Sequence, residues 1–216
     1  MSGSWPVPYI PDIATFHIGA FVAFCVSILL VVLVNAEGQA FMATLLGDLQ
    51  PEAKDRFNFN AFLHLDILGT ITFFVGGFGW ARYLKVDKTR FAHPFPYLIL
   101  SRLAGPLANF LLANIAGSLV HLLRSLEIET RVLAMVAAVN VTAAVYNILP
   151  LPPLVAGEVV AAWLEDRSPA LARTLTLAGP YLLLALAFLD RLYPAYSFRP
   201  FLDAWVVEVY RFICGL

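Results

Sequence analysis

The chain has 216 residues and a formal net charge of −1; 60% of its residues are hydrophobic, only 13% are charged, and mean hydropathy is +0.78. Soluble domains carry about 25% charged residues, so this is the composition of an integral membrane protein. The near-zero net charge and the lack of a basic cluster exclude a nucleic-acid binder, which needs a contiguous phosphate-neutralising face.

In chain order, the first twelve residues lack the basic start of a secretory leader, and the apolar run after them is too long for one, so this run is expected to stay in the mature protein. Residues 13–34 would make about 33 Å of helix, enough for one span of a hydrocarbon core of about 30 Å. Residues 48–61 are polar, carry Pro51 and read as an interfacial loop. Residues 65–80, LDILGTITFFVGGFGW, are apolar but interrupted by Gly69, Gly76, Gly77 and Gly79, short and flexible for a span. Residues 97–123 are the second span, rich in small residues that let helix backbones approach closely. The third, 131–149, places Asn140 and Asn147 on one face. Pro150, Pro152 and Pro153 then enforce an extended segment. Residues 154–163 are apolar around Glu158, 175–189 form a fourth span, and 201–213 mix aromatic and charged residues as an interfacial helix does. Cys25 and Cys214 have neither CxxC spacing nor a disulfide-framework pattern and read as reduced packing residues.

Charge placement decides how 65–80 runs, because Lys and Arg collect on the cytoplasmic side. If that stretch is re-entrant, Lys54, Arg56, Arg82, Lys85, Lys88, Arg90, Arg102, Arg167 and Arg173 share one side, leaving Arg124, Arg131, Arg191, Arg199 and Arg211 opposite. If it crosses, the two sides hold equal numbers and the bias disappears. A re-entrant segment is therefore expected, with the N-terminus outside, in a bacterial cytoplasmic membrane.

The stretch VNAEGQAFMATLLGD, residues 34–48, organises the rest. Asn35 and Gln39 stand four apart on one helical face with Ala36 beside the first. Those are the places where H-E-x-x-H would put two imidazoles and a general base around zinc. The spacing is present and the chemistry is absent. An amide has no basic nitrogen lone pair, and alanine accepts no proton from water.

Five segments in order resemble the site-2 protease family of intramembrane zinc metallopeptidases, in its compact branch. They are NAEGQAFMATLLGD at 35–48, HLDILGT at 64–70, GWARYLKVD at 79–87, AGPLAN at 104–109 and NILPLPPLVAG at 147–157. The resemblance covers roughly residues 20–165 and implies an all-α membrane bundle of about four spanning helices, a re-entrant segment and a C-terminal interfacial helix, in a single membrane domain over 1–216 with C-terminal helices from about 170. It also implies where metal and base would sit: the two motif histidines, the aspartate of the last motif and the glutamate correspond to Asn35, Gln39, Val155 and Ala36. These are vestigial positions, with no catalytic residue and no metal expected. Ile67 stands where a proline usually follows the aspartate of the second motif, and Glu158 where an arginine often follows the last.

The residues that shape the family's groove remain. Gly38, Gly105, Pro106 and Asn109 serve helix packing, while Asn140, Asn147, Pro150 and Leu154 line the groove that would hold a partner. Glu37 lies off the Asn35–Gln39 face, so a metal set rebuilt from Glu37 and Glu158 is not expected; His64 and Asp66 read as an interfacial hydrogen-bonding pair. The expected function is that of a catalytically inactive, site-2 protease-like binding or scaffold subunit for another membrane protein. One alternative is an active peptidase with unorthodox ligands. Another is a cofactor-carrying subunit of an electron-transfer or photosynthetic complex, with His17 and His121 as axial ligands to haem or pigment. Restoring the four lost groups together is expected to return zinc binding.

Overall fold

The computed structural model describes residues 6–12, 14–49, 58–193 and 199–215. Among these, seven α-helices and two short 3-10 turns make up the fold, with one isolated β-bridge. The helices are α1 (Ile18–Leu45), α2 (Ile67–Gly76), α3 (Pro94–Arg124), α4 (Arg131–Tyr146), α5 (Val155–Glu165), α6 (Pro169–Leu192) and α7 (Arg199–Cys214).

Three of them, α1, α3 and α6, are long and apolar enough to cross a membrane. The expected third span is shorter: α4 has 16 residues, about 24 Å of helix. Its Ala- and Val-rich sequence is buried without interruption from Ala134 to Ala143, as befits a helix apolar on all sides. It is packed against α1, α3 and α7, so its neighbours, rather than its own length, shield it from lipid.

The stretch 65–80 turns back, as the charge count predicts. Helix α2 has 10 residues, about 15 Å, half the hydrocarbon thickness. Asp66 caps its start by accepting from Gly69 N at 2.8 Å, and Gly77 ends it in the left-handed region at φ 74°, which glycine adopts without steric penalty. The chain then returns beside its entry: Leu65 bridges Ala81, and Arg82 N donates to His64 O at 2.7 Å. The returning backbone is shielded by α1 and α4 on one side, and α2 itself leans on α6, the shielding that irregular backbone needs at membrane depth.

The last helix is more deeply involved than an interfacial element. Leu202, Val206, Tyr210 and Cys214 of α7 are buried against α3 and α4. Tyr146 Oη donates to Asp203 Oδ1 at 2.6 Å, and Arg199 Nε donates to Tyr146 Oη at 3.1 Å. Only its outer face, with Phe201, Trp205 and Phe212 exposed, has the character expected of an interfacial helix.

The end of α1 and the segment after the re-entrant turn are joined: Asp87 N donates to Asp48 Oδ2 at 3.1 Å, and Arg90 Nη1 to Leu49 O at 3.3 Å. Lys54, which the charge count places on one side with Lys85, lies outside the described residues. Single cysteines at positions 49 and 85 are therefore expected to react with an impermeant thiol reagent from the same side of the membrane. Labelling from opposite sides would mean that 65–80 crosses.

Candidate functional site

The α1 face that carries Asn35 and Gln39 packs on α3, which runs antiparallel to it. Contact this close depends on two glycines. A Cβ on Gly38 would lie 2.8 Å from Ala104 O, and one on Gly105 would lie 2.8 Å from Asn35 Oδ1 and 2.9 Å from Gln39 Nε2. With those methyl groups missing, two amides fit between the helices, each residue 8% exposed.

The amides close on one another. Gln39 Nε2 donates to Asn35 Oδ1 at 2.8 Å, and Asn35 Nδ2 donates to Asn109 Oδ1 at 2.6 Å. Asn109, fully buried on α3, donates from Nδ2 to Val31 O and to Asn140 Oδ1, both at 3.0 Å. Asn140 ends the row by donating to Val136 O at 2.9 Å. The ladder thus runs from α1 through α3 to α4.

Its other end is a charge, Arg102, which charge placement alone assigns to the cytoplasmic side. Arg102, 3% exposed, donates from Nη1 to Gln39 Oε1 at 2.8 Å and to Leu84 O at 2.9 Å. Its Nε lies 2.9 Å from Glu158 Oε2 on the first turn of α5, and the guanidinium rests over the Tyr83 ring at 4.7 Å from its centroid. The signal was available: an arginine inside an apolar helix, with a glutamate inside a second apolar segment, calls for a buried partner. The Glu158 carboxyl is pushed up to about 7 by burial, against the downward pull of Arg102.

Asn35, Gln39, Asn147 and Glu158 line one cavity of about 20 Å³, closed on the other side by the extended backbone from Trp80 to Leu84. That volume suits a single water and leaves no room for a peptide strand. Ala36 and Val155, both buried, do not line it. Asn147 is committed internally: its Nδ2 donates to Ala143 O at 2.7 Å, and its Oδ1 accepts from Val155 N at 3.0 Å. Leu154 and Asn140 are fully buried, Pro150 is exposed, and Pro106 sits half-buried within α3. Glu37 faces away, accepting from Asn58 N at 3.0 Å and lying 3.2 Å from His64 Nε2. His64 and Asp66 therefore do not pair. Asp66 is taken by the start of α2 and by Trp80 Nε1 at 3.0 Å, since free N–H groups at a helix start hold a carboxylate strongly. His17 precedes α1 and His121 lies exposed in the last turn of α3, ends that fall on the same side of the bundle because the two helices are antiparallel.

The donor set does not fit a zinc ion. Amide and valine side chains supply no basic or anionic ligand at positions 35, 39 and 155, and the amide oxygens already accept N–H groups. Among the described residues, no three His, Cys, Asp or Glu side chains come together. The guanidinium adds an obstacle of its own. A dication held by the residue-39 side chain would stand within about 5 Å of it, which is a repulsion of roughly 7 kcal/mol at an effective dielectric of about 20.

Two measurements check this account. Asn109→Leu removes three hydrogen bonds between helices and is expected to destabilise the protein by about 2 kcal/mol in detergent unfolding, given the modest worth of such bonds in membranes. Glu158 sets a pH dependence. Its folded-state value lies above the ordinary 4.5, so the folded chain holds the proton more tightly than the unfolded one. The stability this brings is present in full below about pH 4.5 and is lost as the pH rises through about 7. The Tm of the native protein is expected to rise on acidification from about pH 8 to pH 5, and Glu158→Gln to flatten that rise; equal slopes in the two proteins would refute it.

No family model matches the chain, and no solved structure matches it. It is 31% identical over 124 residues to the Bacillus subtilis (strain 168) protein named "Putative zinc metalloprotease YwhC", a match covering 53% of this chain and 57% of that relative. The chain thus spans little more than half the length of the curated relative it matches. The similarity to this relative is consistent with the resemblance of the ordered motifs to the site-2 protease family, and the chain has amides, an alanine and a valine where that family's pattern places metal ligands and base.

Proposed function

We propose that this protein is a non-catalytic, site-2 protease-like membrane protein that binds or scaffolds another integral membrane protein. The observation that carries the reading is the closure of the amide ladder: Asn35 and Gln39 spend their hydrogen-bonding groups on each other, on Asn109 and on Arg102. A site kept for hydrolysis needs an activated water with an open approach. Here the corresponding space is about 20 Å³, and two of its lining residues, Gln39 and Glu158, are held by Arg102.

The partner is inferred from the medium. The exposed surface is aliphatic on α1 and rich in leucine on α3 and α6, so a specific partner meets it within the bilayer or at its short connections. The retained groove residues Asn140, Asn147, Pro150 and Leu154 would serve such a partner only if the segment closing the cavity moves aside. The basic residues of the connections support an N-terminus outside, and the Bacillus subtilis relative supports a bacterial cytoplasmic membrane.

A second reading, an active peptidase with unorthodox ligands, is favoured by the name of the relative. Metal analysis and cleavage assays separate the two. Protein purified in mild detergent without chelator is expected to carry well under one zinc per chain and to leave transmembrane peptides intact. About one zinc per chain, with cleavage lost on Gln39→Ala, would establish the peptidase. Purification from native membranes followed by mass spectrometry is expected to recover one membrane protein at a reproducible ratio to this chain.

A further inference from the structure

The lost ligands explain why the site would not hold a metal now; the position of Arg102 bears on why their return alone would not restore one. Four groups from three separate segments converge on this side chain of α3. They are Gln39 Oε1 on α1, Leu84 O and the Tyr83 ring on the segment returning from α2, and Glu158 Oε2 on α5. Of these anchors, Gln39 belongs to a segment that corresponds to one of the family's metal-holding motifs, and Glu158 directly follows another. A buried guanidinium with this many fixed acceptors has no solvated position to retreat to.

We propose that Arg102 is the built-in cation of this bundle: it ties α1, α3, α5 and the returning segment together as a central metal would, and its occupancy of the site and that of a divalent cation are mutually exclusive. This rests on the non-catalytic reading above and goes beyond it by naming the residue that keeps the site closed. It also revises the expectation that four restored groups suffice. The acid introduced by Val155→Asp would stand three residues before Glu158 on the same helical face, beside a carboxylate that already holds the guanidinium. That new carboxylate would be drawn to Arg102 before any metal arrived.

The test uses the full chain in detergent and zinc itself as the ligand. One variant combines Asn35→His, Ala36→Glu, Gln39→His and Val155→Asp; the second adds Arg102→Leu, and the third adds Arg102→Lys instead. The second is expected to take up about one zinc per chain, while the first and third stay at least tenfold lower. Added zinc should also raise the Tm of the second variant, or recover its yield if it folds only with zinc, and leave the first unchanged. Stoichiometric zinc in the first variant would overturn the proposal. So would a second variant that neither binds zinc nor is stabilised by it, whether folded or not. The non-catalytic reading fails on a different result, zinc or cleavage in the unaltered protein, so the two failures are distinguishable.

Discussion

A positive charge buried within a helical membrane bundle must be met by acceptors that arrive from elsewhere in the chain, and Arg102 imposes that constraint on everything around it. Its guanidinium is reached by a side-chain amide, a backbone carbonyl, a carboxylate and an aromatic face. These come from α1, α5 and the segment after α2, so the charge fixes how far each stands from α3. Stripping the guanidinium of these acceptors together would leave an uncompensated buried charge, a loss of roughly 3–5 kcal/mol. The set need not add net stability to have this effect, because its value lies in admitting only one arrangement of the segments.

The amides continue the same logic without charge. A carboxamide both donates and accepts, so a row of them can satisfy itself, as Gln39, Asn35, Asn109 and Asn140 do across three helices. Imidazoles and carboxylates crowded in the same place would need an ion or protons to balance them. A row of amides at these positions is complete from within and calls for no external cation, with Gly38 and Gly105 providing the close helix approach.

The outer elements follow from the need to satisfy backbone away from water. Helix α2 is too short to span, so the chain returns along its own entry and pairs Leu65 with Ala81, with α1, α4 and α6 screening that region from lipid. Helix α7 lies across α3 and α4 and gives the buried end of Tyr146 its hydrogen-bond partner. Helix α4, enclosed on every side, is built of small residues because neighbours approach it from all directions.

Much of this was legible in the residues. Composition alone determines a membrane protein, since so few charges cannot cover a soluble surface; the glycine-broken run at 65–80 and the uneven basic residues point to the re-entrant turn, which the Leu65–Ala81 pairing decides. The types at positions 35, 36, 39 and 155 determine that the expected ligands are missing, because chemistry of that kind is a property of the side chain and not of its surroundings. The fold decided the rest. That Arg102 belongs with Gln39 and Glu158, residues far apart in sequence, that His64 turns to Glu37 instead of Asp66, and that α4 sits at the centre are outcomes of which faces meet. Local pattern cannot fix those pairings: periodicity tells which side of a helix is polar, while the identity of the partner depends on helix crossings set by packing along the whole bundle.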